Sequence, residues 1–466
     1  MKKALSAFSL LLLCTGLIFG SGQKEAGTSA TEGPQASAAR VKTPIEIHNP
    51  NFTYPTEKIN LTYWHSLEGR PGYHELALEI ADAYSKIHPN VSIEIRKIPN
   101  AQQRAIWAAA FESHTAPDVV WIETQVGLLA KGLREAPAWV VNMIESTFTP
   151  YAASLSKING KYYGWTGAEV DAGQMLYYNK DMFKKVGLDP QKPPKTMPEF
   201  LDYAKKLTQY DANGNIKVAG VGLRYSGGHQ GIGDKFSKYA MPFMDTTKEF
   251  YYNSDFSDVV FDSPQWIEAA KFVKDLVFKY KVTNTSLPIP DQAVAQGLAA
   301  MTFRESFYAN FLKENAPTMD FGIAPFPVGA PPLGKYPTGA IPWLGIVSVS
   351  VDSKYPDVAW DFAMFMANDE NEIRMAKNNG GFSRLKVHQD DPFFKTLPYF
   401  DTYKVMTEQR PLVQNPYLDP NALQAELEAK LGEAVVQLLT DQNADPDKLM
   451  KDLAAYGRKR LQEVRK

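Results

Sequence analysis

At 466 residues the chain exceeds one ordinary hydrophobic core, so two domains are expected, each able to bury ample apolar surface. A formal charge of −2 and a pI near 6.4 give no basic face of the kind that nucleic-acid binding requires, and that partner class is excluded. The seven histidines include no i, i+4 pair and the one cysteine is Cys14, so neither a zinc pattern nor a disulfide framework is expected.

Met1–Gly22 reads as a signal peptide: Lys2 and Lys3 precede an apolar run from Ala4 to Phe19, with Gly20 and Gly22 as small residues before a cut. Removing the two lysines takes the formal charge from −2 to −4. Cys14 lies inside the apolar run after Leu13, and Ser21 stands where bacterial lipoproteins often carry a lipidated Cys, so lipid anchoring is the less favoured expectation. No later stretch has 18 uninterrupted apolar residues, and a soluble exported protein is expected. Residues 23–57, rich in Ala, Gly, Ser, Thr, Glu and Pro, read as a flexible tether, with order beginning near Ile59.

Strands are then predicted at Ile59–Ser66, Val91–Pro99 and Pro117–Thr124, separated by helices over Gly72–Val91 and Ala101–His114. This β-α-β-α-β order implies a parallel, helix-covered sheet. The central stretch, INGKYYGWTGAEVDAGQMLYYNKDMFKKVGLDP, starts at Ile158. It holds an Asn159-Gly160 turn, the carboxylates Glu169 and Asp171 between glycines, and a strand MLYY that breaks at Asn179 into a helix. It reads either as a crossing between two lobes or as a hairpin and helix with solvated acids. Thr196 and Glu199 form a capping box for the next helix. A strand at Val218–Leu223, a flexible glycine-rich loop at Arg224–Phe236, and a helix from Ser263-Pro264 to Tyr280 follow. Residues 292–303 read as a helix end and strand, 320–340 as extended, and WLGIVSVS and PDVAWDFAMFMAND as strand and helix. Amphipathic helices close the chain at Leu418–Gln442 and Asp445–Lys466.

The glycine-rich GGHQGIGDK is no phosphate-binding loop, because Lys235 follows Asp rather than Gly. GWTGAEV holds no Ser between its glycines and is no nucleophile elbow. Two acid pairs, Glu169 with Asp171 or Glu123 with Glu169, leave an exported carbohydrate-active enzyme open, although the roughly 6–7 Å that strand rise gives i, i+2 acids is not diagnostic. Aromatic residues at strand ends carry more: Trp64-His65 ends the first strand, Trp121 with Glu123-Thr124 the third, and Trp343 opens a late one. Ligands of open α/β sheets bind outside such ends, and the 12% aromatic content supplies rings suited to sugars as well as to a core.

Taken in order, YWHS, SKIHPNVSIEI, SHTAPDVVWIET, LYYNKDMFKKVGLD, PPKTMPEFLDYAKKLT, AQGLAAMTFRESF and PDVAWDFAMFMAND resemble the extracellular solute-binding proteins of bacterial ABC importers, in the carbohydrate-binding group that includes maltose-binding protein. The resemblance spans roughly Ile59 to Lys466. It implies an α/β, two-lobed venus-flytrap fold, each lobe a mixed sheet flanked by helices, with 58–170 and 343–390 in the N-terminal lobe and 171–342 and 391–466 in the C-terminal lobe. Hinges are implied at Glu169–Ala172 and near Trp343–Gly345. It implies capture of a mono- or oligosaccharide without covalent chemistry and without a cofactor. Delivery is to an inner-membrane permease with its ATPase subunits, by a periplasmic monomer. Carried over by position, the implied ligand contacts are Trp64, His65, Ser66, Trp121, Glu123, Thr124 and Gln125, then Glu169, Asp171, Arg224 and Tyr225. Arg304, Phe307, Trp343, Arg384 and Tyr417 complete the set, with Phe382 and Ser383 beside Arg384. Where relatives often read Ile-Asn-Gly-Pro-Trp this chain has Phe303-Arg304-Glu305-Ser306-Phe307. Arg224 and Arg304 either pair with nearby acids or clamp an anion, which admits a uronate, sugar phosphate or glycerol phosphate.

Overall fold

The computed structural model describes residues 51–466 apart from 68–71, 100–101, 125–130, 159, 168–172, 343 and 380. The signal peptide, Cys14, most of the tether, Gln125, Glu169, Asp171, Trp343 and both implied hinge centres lie outside the described residues.

Two main sheets organise the rest. The larger has five strands: Ile59–His65 lies between Val91–Lys97 and Val119–Glu123, parallel to both, and Gly345–Val349 and Trp165–Thr166 extend it. Gly345–Val349 runs antiparallel to both of its neighbours, so the sheet is mixed. The run VVWI, Val119 to Ile122, is apolar throughout because both faces of its strand are covered. Val119 and Trp121 face the main core, while Val120 and Ile122 face a smaller cluster with Trp107, Phe111 and Ile346. The second sheet sets Met175–Asn179 between Met301–Arg304 and Phe321–Ala324, antiparallel to each. The chain therefore leaves one sheet after Thr166, enters the other at Met175, and returns at Gly345.

Local chemistry explains where elements start. Gly160, at φ 77°, turns Lys157–Ile158 back onto Lys161–Tyr162. Asn179 ends its strand by accepting a hydrogen bond from Met182 N–H, which opens the helix Lys180–Lys185. The capping box forms as expected: Glu199 N–H donates to Thr196 Oγ1, and Glu199 returns the interaction to Thr196 N–H. Helices at Pro264–Phe278, Gln424–Thr440 and Pro446–Val464 match the expected segments.

Two expectations are corrected. The strand at Val218–Leu223 is reduced to Ile216–Val218, paired with Gln209–Tyr210. Beyond it the backbone makes separate bonds to 298–301 and to Val282 O, among them Gly222 N–H to Met301 O and Gly220 N–H to Val282 O, both at 2.9 Å. Gly220 presses against the helix Met197–Leu207, where an added Cβ would lie 2.0 Å from Ala204 O, and a regular strand does not fit. The flexible loop at Arg224–Phe236 is mostly a helix, His229–Ser237. Its glycines serve contact rather than flexibility: a Cβ on Gly233 would meet Glu428 O at 2.0 Å, and one on Gly432 would meet His229 O at 1.8 Å. The two helices thus cross backbone to backbone.

Residues assigned by composition to the tether pack on the domain at its end. Tyr54 stacks on His88 with ring centroids 4.0 Å apart, and Asn90 Nδ2 donates to the carbonyls of Pro55 and Glu57. Further on, Tyr399, Phe400 and Tyr403 surround Phe382, the last with centroids 3.6 Å apart.

Candidate functional site

At the carboxyl ends of the first-lobe strands the expected contacts are largely engaged with one another. Trp64 is half-buried, with the Arg96 guanidinium 4.6 Å from its ring centre, because the two residues are paired in neighbouring strands. His65 is fully buried, with Nε2 3.0 Å from His74 Nδ1. Burial first, then His74 and Lys97, push the His65 pKa down to about 3, so the ring is neutral near pH 7. Ser66 donates to Gln103 Oε1 at 2.6 Å, and Gln103 donates in turn to Glu123 Oε1 at 2.9 Å. Thr124 is buried beside this string. Trp121 is corrected from a cleft ring to a core residue, for it is wholly buried and its indole fills the space left by Gly167 and Gly345.

Arg384 is likewise corrected. It is buried against Trp165, 4.5 Å from the ring centre, and is ion-paired to Glu372, which also accepts from Arg384 N–H at 2.7 Å. Its loop is organised by a buried string in which Ser383 Oγ lies 2.7 Å from His388 Nδ1 and His388 Nε2 meets Asp369. Ser383 Oγ also accepts from Leu385 N–H. The order Ser-His-Asp is that of a hydrolase triad, but here it fixes a turn.

The second lobe contains a small pocket that is partly open to solvent. Its polar end is formed by Gln174, Arg224, Lys235, Thr302 and Arg304, and its apolar walls include Phe236, Val273, Val435 and Leu439. The three-stranded sheet supplies Thr302 and Arg304, and Gln174 immediately precedes its middle strand. Lys235 comes from the helix that the glycine contacts lock to Gln424–Thr440.

The cations here are met by acids. Arg304 Nη2 donates to Asp291 Oδ2 at 2.9 Å, while its Nε lies as close to Oδ1 but off the hydrogen-bond line. Lys235 bonds Asp234 Oδ2 at 2.7 Å and also reaches Glu305. Lys238 binds Asp234 from the other side, and the Tyr417 hydroxyl donates to Asp234 Oδ1 at 3.1 Å. Despite burial, Lys235 and Lys238 hold the Asp234 carboxyl well below its ordinary range, and Lys235 and Arg304 hold Glu305 down. Burial raises Asp291 although Arg304 opposes it. Burial and then Asp234 push Glu428 up to about 8, and the Tyr251 hydroxyl donates to it at 3.1 Å. With Glu428 protonated, Arg224, Lys235, Lys238 and Arg304 face Asp234, Asp291 and Glu305, four charges against three. Of these four cations Arg224 is the one whose hydrogen bonds among the described residues go to backbone carbonyls alone, those of Ser226 and Gly227.

The remaining expected contacts divide. Tyr225 donates its hydroxyl to Leu287 O, and Phe307 is exposed with Arg304 5.1 Å from its ring centre. Tyr417 is buried in the Asp234 network rather than open to a ligand. Arg224 and Arg304 share the cavity, whereas among the described residues no first-lobe residue lines it. Sequence reasoning missed Gln103, Gln174, Lys235 and Asp291. Lys235 carried a signal, as a lysine in a glycine-rich stretch, and Gln174 stood directly before MLYY; Gln103 and Asp291 carried none. Among the described residues no group of three or more His, Cys, Asp or Glu is placed to hold a metal ion, and no helix is long and apolar enough to cross a membrane.

This arrangement is that of a two-lobed binding protein. The chain resembles solved structures of that fold across most of its length. The maltotriose-binding protein of Thermus thermophilus superposes with a TM-score of 0.62 at 22% identity, covering 86% of this chain and 99% of that one. The cyclic alpha-maltosyl-1,6-maltose binding protein of Arthrobacter globiformis gives 0.67 at 18% identity, with 87% and 100% covered. The bacterial extracellular solute-binding protein family matches residues 79–402, and the chain belongs to it. Among characterised relatives, the sn-glycerol-3-phosphate-binding periplasmic protein UgpB of Pectobacterium atrosepticum is 28% identical over 346 residues, 69% of this chain and 72% of that protein. Its Escherichia coli counterpart is 26% identical over 367 residues, 73% and 79% of the two chains.

Proposed function

We propose that the chain is the periplasmic solute-capturing component of an ABC importer and that its solute is a mono- or oligosaccharide. The observation that carries the sugar reading is the second-lobe cavity, where Arg304 and Lys235 are already met by Asp291, Glu305 and Asp234. Such a polar end offers hydrogen bonds more than unopposed charge, beside apolar walls. The solute is bound, not transformed, and passes to a membrane permease with its ATPase subunits; the protein acts as a monomer exported by Met1–Gly22.

The lobes are proposed as 58–170 with 343–390 and 171–342 with 391–466, except that 391–408 goes with the first lobe. The stacking of Tyr399, Phe400 and Tyr403 on Phe382 supports that change. Glu169, Asp171 and Trp343 remain proposed hinge-side contacts, with Trp64, Ser66, Glu123 and Thr124 opposite.

A second reading, an anionic solute such as a glycerol phosphate, is favoured by Arg224, which has no carboxylate partner among the described residues. Thermal unfolding of the protein with neutral sugars, uronates and sugar or glycerol phosphates separates the two. At 100 times its dissociation constant a ligand of the folded state adds about 2.7 kcal/mol. A shift with a neutral sugar that is recovered intact supports the first reading. A shift with anions alone replaces it with the second.

A further inference from the structure

We infer that Gln174 is a specificity-determining residue of the solute site, its side-chain amide reading adjacent hydroxyl groups of a neutral solute. This rests on the carbohydrate reading above. Gln174 is 3% exposed and lines the polar end of the cavity, yet neither Oε1 nor Nε2 has a hydrogen-bond partner. It is the one side-chain amide among the described residues with both polar atoms in that state. Buried amides nearly always find partners, so one that leaves both a donor and an acceptor open beside a cavity is complementary to something absent from the protein itself.

The chemistry of that partner follows from what the amide offers. A pair of neighbouring hydroxyls can donate to Oε1 and accept from Nε2 together. A carboxylate or phosphate group itself only accepts and would set its charge against Oε1, so the amide faces hydroxyls; that the solute is neutral comes from the carbohydrate reading. Of the neighbouring cations, Arg304 and Lys235 are committed to Asp291, Asp234 and Glu305, which leaves Arg224 as the one that could draw an anion to the same pocket.

The amide is also held in place. Gly173 before it has φ 69°, and a Cβ there would lie 2.6 Å from Ile341 O, so the backbone at this point is closely confined. Met175 after it is buried and pairs with Arg304 across the sheet. A side chain anchored directly before the middle strand of a sheet can discriminate between hydroxyl arrangements more sharply than one on a loose loop.

The test is calorimetric titration of the wild type and Gln174→Met with the neutral sugar that most stabilises the wild type, together with its single-deoxy analogues. Methionine keeps the length and removes both hydrogen-bonding atoms. The expected result is an affinity loss of ten-fold or more in Gln174→Met, with an unfolding midpoint without ligand equal to or above that of the wild type. At least one deoxy analogue should bind wild type weakly and Gln174→Met no worse than the parent sugar. Gln174→Leu serves in the same way should the methionine variant fail to fold. Unchanged affinity in a folded variant overturns the inference and leaves the amide as a site for water alone, with the carbohydrate reading intact. A wild type that binds only anions overturns both.

Discussion

The two strand-end regions use polar residues in opposite ways. In the first lobe Ser66, Gln103 and Glu123 form a closed string, and His65 is sealed with His74. In the second, ion pairs neutralise most of the charge around a cavity and leave the Gln174 amide open. The first is a wall in which Ser66, Gln103 and Glu123 bond one another. The second leaves both polar atoms of the Gln174 amide unpartnered among the described residues beside a pocket, where the proposed reading of the solute's hydroxyls falls. A buried unpartnered atom alone does not mark a site, since Arg384 Nε and Nη1 are in that state in the core; one beside a pocket is the candidate.

The largest test breaks the first-lobe wall. Glu372→Ala strands the buried Arg384 guanidinium, and loss of one partner of such a pair costs about 3–5 kcal/mol. Chemical denaturation should show the loss, together with disorder in the loop that Ser383 and His388 organise.

Gly432→Ala attacks the second lobe instead. Its Cβ would overlap His229 O, which is backbone and cannot rotate away, so about 1–3 kcal/mol of destabilisation is expected. Because the helix that moves carries Lys235, solute affinity should fall as well, whereas Glu372→Ala should lower stability with a smaller effect on binding by the folded fraction.

Much of this architecture was legible in the sequence because it depends on local pattern. The apolar run VVWI, the Thr196–Glu199 box and the break at Asn179 each state their structure within a few residues. The site was less legible. Arg384 and Trp121 look like cleft residues from their motifs, and only their distant neighbours, Glu372 for one and Gly167 and Gly345 for the other, make them core. The helix His229–Ser237 was misread because Gly231 and Gly233 look like flexibility, while the contact that requires Gly233 lies some 195 residues away in Glu428. The place of Gln174 directly before MLYY was legible, but not its unpartnered amide, which is a property of its surroundings.

The two lobes should also differ in sign on titration. His65 is lowered from 6.5 to about 3, so the unfolded chain binds the extra proton in that range and this contribution to stability is lost as pH falls. Glu428 is raised from 4.5 to about 8, so the folded chain binds the extra proton and stability is lost as pH rises through that range. His65→Asn should flatten the acid limb of the stability profile and Glu428→Gln the neutral-to-alkaline limb. Denaturation midpoints at a series of pH values check both, and an exchange of the two limbs would contradict the assignment.

The smallest effect is local. Thr196→Ala removes the cap of the helix Met197–Leu207 and should cost about 1 kcal/mol, leaving solute binding unchanged.

The most direct measurement is calorimetric titration of the protein with the best neutral sugar from the thermal panel, followed by recovery of the sugar. Saturable heat at one site per chain, with the sugar recovered chemically unchanged, is the predicted result. Heat that continues with the appearance of hydrolysis products would contradict capture without chemistry, and the absence of saturable heat with every neutral sugar would contradict the solute class.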